Sequence, residues 1–288
     1  MKIRTTKLTL FMLFVSSLLL AGQAFAADSI KGQVLGGGAP IAQSSVTLWE
    51  ASAGPPKQLG QTKTDNEGRF EVRTTGSQAG ASLYLVATGG EPGGRGGDNP
   101  AIALLTVVGS KPPTLVVIDE MTTLASVVTH TQFIDGAAIK GSPLELRIAA
   151  GNVPNFVNLE YGSYGETILD PLNSAQTPTM ANFATLSSIV AGCVTRVRAD
   201  ACSSLFYVGT SPTGAYPKDT LAAVESIVRY PSHQADKVFG LLNYFYPLPN
   251  QPGKIFRPTP FMPYLTYSPS AWIFPLKFTG GDTAAAAK

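Results

Sequence analysis

The sequence predicts an α+β multidomain protein: an N-terminal β-sandwich, a mainly α-helical domain and a Pro-rich extended C-terminal segment. Three observations predict it. Short alternating runs separated by turn residues fill residues 27–117. After residue 118 the apolar spacing changes to a helical period. Eight prolines fall within residues 247–275, a density that prevents regular helix or central strand.

Residues 1–26 read as an export signal. Lys2, Arg4 and Lys7 form a basic start, Leu8 to Ala21 is an apolar stretch, and Ala24-Phe25-Ala26 gives the small-x-small pattern of signal peptidase sites. The apolar stretch is shorter than the ~20 residues a membrane span needs. Cleavage after Ala26 predicts a periplasmic or secreted destination, with no stable membrane span afterwards. The formal charge of +2 on 288 residues then loses its basic excess, leaving 18 basic against 19 acidic residues. With no basic block, no nucleic-acid partner is expected. Two Cys and two His cannot supply a three-His metal site or a four-Cys zinc cage, and no cofactor is expected.

In the sandwich region Ile30 to Val34 alternates apolar and polar, and Gly36 to Pro40 reads as a break. Val46 to Trp49, Gln58 to Thr64 and Arg69 to Arg73 read as strands, the last two joined by the Asp65-Asn66-Glu67-Gly68 turn. Ser82 to Thr88 reads as a central strand, and Ile102 to Val108 and Thr114 to Ile118 as two more. The loop Gly94-Arg95-Gly96-Gly97-Asp98-Asn99 lacks the last glycine and the following helix of a dinucleotide fingerprint, so it reads as surface loop.

Ile30-Lys31-Gly32-Gln33-Val34, Ala39-Pro40-Ile41-Ala42, Ser45-Val46-Thr47-Leu48 and Thr64-Asp65-Asn66-Glu67-Gly68-Arg69-Phe70 follow one another in an order that resembles the carboxypeptidase-regulatory-like (transthyretin-like) domain family. The resemblance covers roughly residues 28–90. It implies a seven-stranded Greek-key sandwich that acts as a stabilising or adhesive module without catalysis of its own. The long glycine-rich loop from Gly89 to Asn99 departs from a compact member of that family.

The mainly helical domain is expected over residues 118–246. Asp119 is the expected N-cap of a helix carrying Met121, Leu124 and Val128. Leu144 to Ile148 reads as an extended run. From Thr177-Pro178 a strong helix presents Met180, Phe183, Leu186, Ile189 and Cys193 as an apolar stripe, with a mild opposite face of Asn182, Thr185 and Ser188. A short helix is expected over Ala201 to Tyr207, another opened by Asp219 and stopped by Pro231, and a last one capped by Ser232. Cys193 and Cys202 read as a structural disulfide of an exported protein, against the alternative of a redox pair, which usually has the spacing C-x-x-C. His130 and His233 sit at helix ends, where surface or capping roles outweigh catalysis.

Ile118-Asp119-Glu120-Met121-Thr122-Thr123-Leu124-Ala125, Ala201-Cys202-Ser203-Ser204-Leu205-Phe206, Pro217-Lys218-Asp219-Thr220-Leu221-Ala222-Ala223 and Ser270-Ala271-Trp272 together resemble a helical segment of exported bacterial proteins. In those proteins a β-propeller of the NHL or streptogramin-lyase type often follows. The chain ends at Lys288, where that propeller would begin, so the resemblance implies an architecture and no active site.

Residues 247–288 combine prolines with aromatics and end in a low-complexity tail over Thr279 to Lys288. The aromatics either pack as an extended strap or form a stacking surface, with Tyr264, Tyr267 and Trp272 as the candidate binding surface. Two functions follow. The first is a non-catalytic structural or binding protein of the envelope or extracellular space, taking an envelope protein or a glycan. The alternative is a hydrolase or lyase with its site between the two domains. The first predicts no cluster of buried Asp, Glu or His at the inter-domain cleft; paired carboxylates with shifted pKa values there favour the second.

Overall fold

The computed structural model describes residues 29–73, 76–93, 97–250 and 255–278. The expected signal peptide and the tail after Phe278 lie outside the described residues, as do residues 94–96 of the glycine-rich loop.

Among the described residues, nine strands precede the first helix. They are β1 Ser29–Gly36, β2 Ala39–Ala42, β3 Ser45–Glu50, β4 Lys57–Lys63, β5 Arg69–Arg73, β6 Leu83–Thr88, β7 Glu91–Pro92, β8 Ala103–Gly109 and β9 Leu115–Ile118. One antiparallel sheet has the order β4-β3-β6-β8. The other has the order β5-β1-β2-β7, with β9 joining β1 in parallel. The expected strands all form, and β6 lies inside its sheet as the sequence suggests.

The break expected from Gly36 to Pro40 is shorter than that. Gly37 and Gly38 both take positive φ, 56° and 83°, and Gly36 pairs with Ala39, so a two-residue turn of primed type leaves Ala39 to Ala42 as strand β2. Gly32 is required by crowding instead. A Cβ there would lie 2.0 Å from the Val116 carbonyl oxygen and 2.6 Å from the Phe70 ring.

Among the described residues eight α-helices follow: α1 Glu120–His130, α2 Pro143–Asn152, α3 Glu166–Leu169, α4 Pro171–Ser174, α5 Thr179–Val194, α6 Ala201–Val208, α7 Thr220–Arg229 and α8 Ala235–Phe245. Two expectations are corrected. Leu144 to Ile148 lies in helix α2, because Ser142 caps it, Pro143 occupies its first position and Glu145 closes a capping box back to Ser142. The apolar alternation misled because Leu144 and Ile148, each 59% exposed, face solvent rather than a core. Ser232 does not cap α8. Residues 231–234 form a turn, and the helix starts after Gln234 in the left-handed region.

Helix hydroxyls join the helices to the sheet. β8 is an edge strand, and its alternate amides face away from β6. The amides of Ala103, Leu105 and Val107 donate to Thr220 Oγ1 of α7 and to Thr123 Oγ1 and Ser126 Oγ of α1, at 2.9, 3.0 and 2.9 Å. Thr220 also donates back to the Ala103 carbonyl at 2.7 Å. The period of two along the strand is thus met by i, i+3 residues on a helix, which covers an edge that would otherwise be open to pairing. One continuous apolar core runs from Ile30 through Leu85, Leu124 and Phe183 to Phe274.

Residues 255–278 contain no helix or strand and lie along α5. The mild face of that helix explains how. Thr179 donates to the Pro275 carbonyl at 2.7 Å and Asn182 to the Ile273 carbonyl at 3.1 Å. Thr185 accepts the Leu265 amide at 2.8 Å, and Ser188 accepts the Phe261 amide at 3.3 Å. These four residues recur every third position, and together they satisfy backbone groups of a segment too rich in proline to pair in a sheet.

Candidate functional site

The residues singled out in the sequence fall in different places. Cys193 and Cys202 form a disulfide with a Cα–Cα distance of 4.4 Å, joining the end of α5 to the start of α6. Beside it the Asn99 side-chain amide donates to the carbonyls of Cys193 and Val194, both at 3.0 Å, fixing the glycine-rich loop to the helix end. Trp272 is 1% exposed; its indole N–H donates to the Ala235 carbonyl at 3.3 Å. Tyr264 is partly buried, accepts the Arg257 amide at 3.1 Å and lies under the Arg257 guanidinium. Tyr267 is 68% exposed. The three aromatics therefore do not make one exposed surface, since Trp272 belongs to the core.

A cleft between converging segments lies elsewhere. A cavity of about 630 Å³ opens where five segments converge: the β1–β2 turn (Gly36, Gly37), β7 (Pro92), the end of α5 (Thr195, Val197), the end of α8 (Phe245, Tyr246) and the strap (Pro258, Pro260). Its lining is mostly aromatic, proline and glycine, with Ala39, Thr195 and Val197 beside them. Aromatic and proline rings offer large contact area at low conformational cost, and glycines without side chains let a ligand reach backbone groups. Arg257 fixes one wall by donating to the Tyr246 carbonyl at 2.7 Å and to Asn243.

Behind the Gly37 wall lies a pair of buried carboxylates. Asp119 caps α1, accepting the Thr122 amide at 2.7 Å, while Thr122 Oγ1 accepts the Asp119 amide at 2.9 Å. Glu120, 1% exposed, points the other way and accepts the Gly37 amide with both oxygens, at 3.0 and 3.2 Å. Burial raises the Asp119 carboxyl to about 6. Burial and then the neighbouring Asp119 charge raise Glu120 to about 8. Burial pushes the Tyr246 phenol up as well, with a smaller contribution from the Glu120 charge. The expectation named the cleft itself, and this buried acidic pair lies beside it. Both carboxyls are engaged in structure, and neither lines the cavity.

His130 is also buried, with Nδ1 against the Ser126 carbonyl at 3.0 Å and Nε2 without a partner. Burial lowers it to about 4, so the imidazole is neutral. It is a core histidine at the end of α1 rather than a surface one.

The sequence reading missed Glu120, because an acid beside an N-cap looks like an ordinary solvated first-turn residue. It missed Glu225 too, although that residue follows Leu221 by four positions on the inward face of α7, which was a usable signal.

Comparison with known protein families and with curated proteins finds no match. Among solved structures, a 9R-lipoxygenase from Cyanothece PCC8801 is similar over 63% of this chain and 26% of its own, at 14% identity and a TM-score of 0.22. The chain thus spans about a quarter of that protein's length. A likeness at this level carries no argument about fold or activity.

Proposed function

We propose that the mature chain is an exported, non-catalytic binding protein of the envelope or extracellular space. In this reading the nine-strand region is a transthyretin-like Greek-key sandwich, followed by a helical unit and a Pro-rich strap. Its ligand, a segment of an envelope protein or a glycan, enters the cleft between the β1–β2 turn, α8 and the strap. One observation carries the proposal: that cleft of about 630 Å³ is lined by Phe245, Tyr246, Pro258 and Pro260 around bare backbone at Gly36 and Gly37. The Cys193–Cys202 disulfide supports export, since such bonds persist in oxidising compartments.

The test is binding of the purified mature protein to oligosaccharide arrays and to immobilised envelope proteins, compared with Val197→Trp. The substitution fills the cleft from the segment after α5. Binding lost in the variant at unchanged melting temperature supports the proposal. Equal binding by both proteins, or no binding by wild type, counts against it.

A second reading, a hydrolase or lyase acting at the same junction, draws on the raised carboxyls of Asp119 and Glu120 beside the cleft. It requires turnover of ester or glycoside substrates that disappears in Glu120→Gln. Wild-type turnover that survives that substitution removes Glu120 from any such role.

A further inference from the structure

A second cleft, of about 720 Å³, is lined by hydroxyl and charged side chains as well as apolar groups, and one of its lining residues is a buried acid. It is bounded by α7, by the segment from Ser211 to Asp219 and by the turn at Asp135 to Ala137. Glu225 lies at 7% exposure on this lining. Its Oε2 accepts the Gly136 amide at 3.1 Å, and its Oε1 has no hydrogen-bond partner. The turn that supplies Gly136 is itself fixed, because Tyr84 donates to the Ala137 carbonyl at 3.0 Å.

No ion pair reaches Glu225 among the described residues. Arg229 is near in sequence, but its guanidinium donates to the Ile134 carbonyl at 2.7 Å and more weakly to Thr131. Lys218 is exposed at the rim. Asp135 and Asp219, on the same lining, add negative charge that acts on Glu225. Burial, with a smaller contribution from these two acids, raises its carboxyl to about 7, against the opposing effects of the Gly136 amide and Arg229. A buried acceptor left unsatisfied beside like charges is unfavourable for the unliganded protein. A ligand bringing hydrogen-bond donors and positive charge would remove that penalty. Tyr216 and Tyr230 stand on the same lining, where aromatic faces can hold the stem or head of a cation.

We infer that the α7 cleft binds a ligand ending in a primary ammonium or guanidinium group, with Glu225 Oε1 as its counter-ion and acceptor. The cleft volume lies in the range of small-ligand sites, about 300–1,000 Å³. No residue lines both this cleft and the junction cleft.

The experiment is calorimetric titration of the full mature chain with cadaverine and agmatine as free cations. Blocked Gly-Lys-Gly and Gly-Arg-Gly peptides form a second arm, and a norleucine peptide is the neutral control. Binding of a cation but not of the norleucine peptide is expected, weakened roughly tenfold or more in Glu225→Gln. That substitution retains an acceptor for the Gly136 amide, and its melting curve reports folding. If it fails to fold, Asp135→Asn, expected to weaken binding less, and movement of the Gly136 amide resonance in wild type decide the matter. Binding by free amines assigns the site to small cations; binding by the peptides alone assigns it to protein side chains. Absence of binding up to about 10 mM, equal binding by Glu225→Gln, or equal binding of the norleucine peptide overturns the inference.

Discussion

The carboxylate of Glu120 holds the amide of Gly37, a residue 83 positions earlier in the chain, at 3.0 and 3.2 Å. This contact ties the first helix to the tip of the first hairpin. It also places an acid directly behind the wall of the junction cleft, since Gly37 lines that cavity. A neutral carboxyl suits the position: it still accepts the amide through one oxygen and carries no charge into a site that holds no cation within ion-pair distance among the described residues.

The first prediction concerns pH. The folded protein holds the Glu120 proton up to about 8, above the usual carboxylate range near 4.5. The folded state therefore binds more protons than the unfolded state in that window. The stability contributed is present below about pH 4.5 and is lost as pH rises through about 8. Asp119 and Glu225 act in the same direction, and the buried His130, lowered to about 4, acts oppositely as pH falls below the usual imidazole range. Denaturant melts of wild type and Glu120→Gln between about pH 5 and pH 9 isolate the residue, with the wild type falling more steeply by about 1–3 kcal/mol. Parallel pH profiles would show that Glu120 is ionised in the fold.

A second prediction separates two aromatics of the strap. Trp272 fills the core and its indole is hydrogen-bonded to the Ala235 carbonyl, whereas Tyr267 stands in solvent. Trp272→Ala should destabilise by about 3–5 kcal/mol. Tyr267→Ala should stay within about 0.5 kcal/mol of wild type. Urea unfolding measures both, and a mild Trp272→Ala would mean that the strap does not pack as described.

The disulfide gives a third. Cys193 and Cys202 are nine positions apart, and the loop they close carries Arg196 in the left-handed region. In the chain-entropy account, closing so short a loop contributes about 2–3 kcal/mol. Cys193→Ser/Cys202→Ser should lower stability by that amount in calorimetry, and a reductant should have no further effect on the double variant. Alkylation of both thiols in oxidised native protein would show instead that the bond is absent.

Much of the fold was legible because its signals are local. Asp119 as a cap, the Asp65 to Gly68 turn and the strand alternation each depend on a few adjacent residues. Helix α2 carries a local signal too, in Ser142, Pro143 and Glu145, but the alternation of Leu144, Leu146 and Ile148 mimics a strand and masks it. The mild face of α5 was visible as a spacing, yet its meaning depends on a strap some 80 residues later whose carbonyls and amides it satisfies. Trp272 shows the general limit. Aromatic density marks contact area, and only tertiary packing decides whether that area is used inside or outside. Glu120 was not legible as a site residue for the same reason, and Glu225 only as an inward-facing acid on α7: their partners, Gly37 and Gly136, are set by topology.

A last prediction tests how the junction is held. Gly192 lies inside α5, where alanine would ordinarily stabilise a helix by about 1 kcal/mol. Here a Cβ would sit 2.4 Å from Phe245 Cδ2 and 2.9 Å from Cε2, so the ring itself must move. Phe245 also lines the junction cleft, and the displacement reaches that cavity. Gly192→Ala should therefore destabilise, by about 1–3 kcal/mol, despite its better helix propensity. Phe245→Leu removes the planar ring and some packing, so it is destabilising alone. Combined with Gly192→Ala it should cost less than the two single effects added, because the steric conflict disappears. Additive effects in a double-mutant cycle would show that α5 and α8 do not meet at this glycine, and that the wall of the cleft is not set by it.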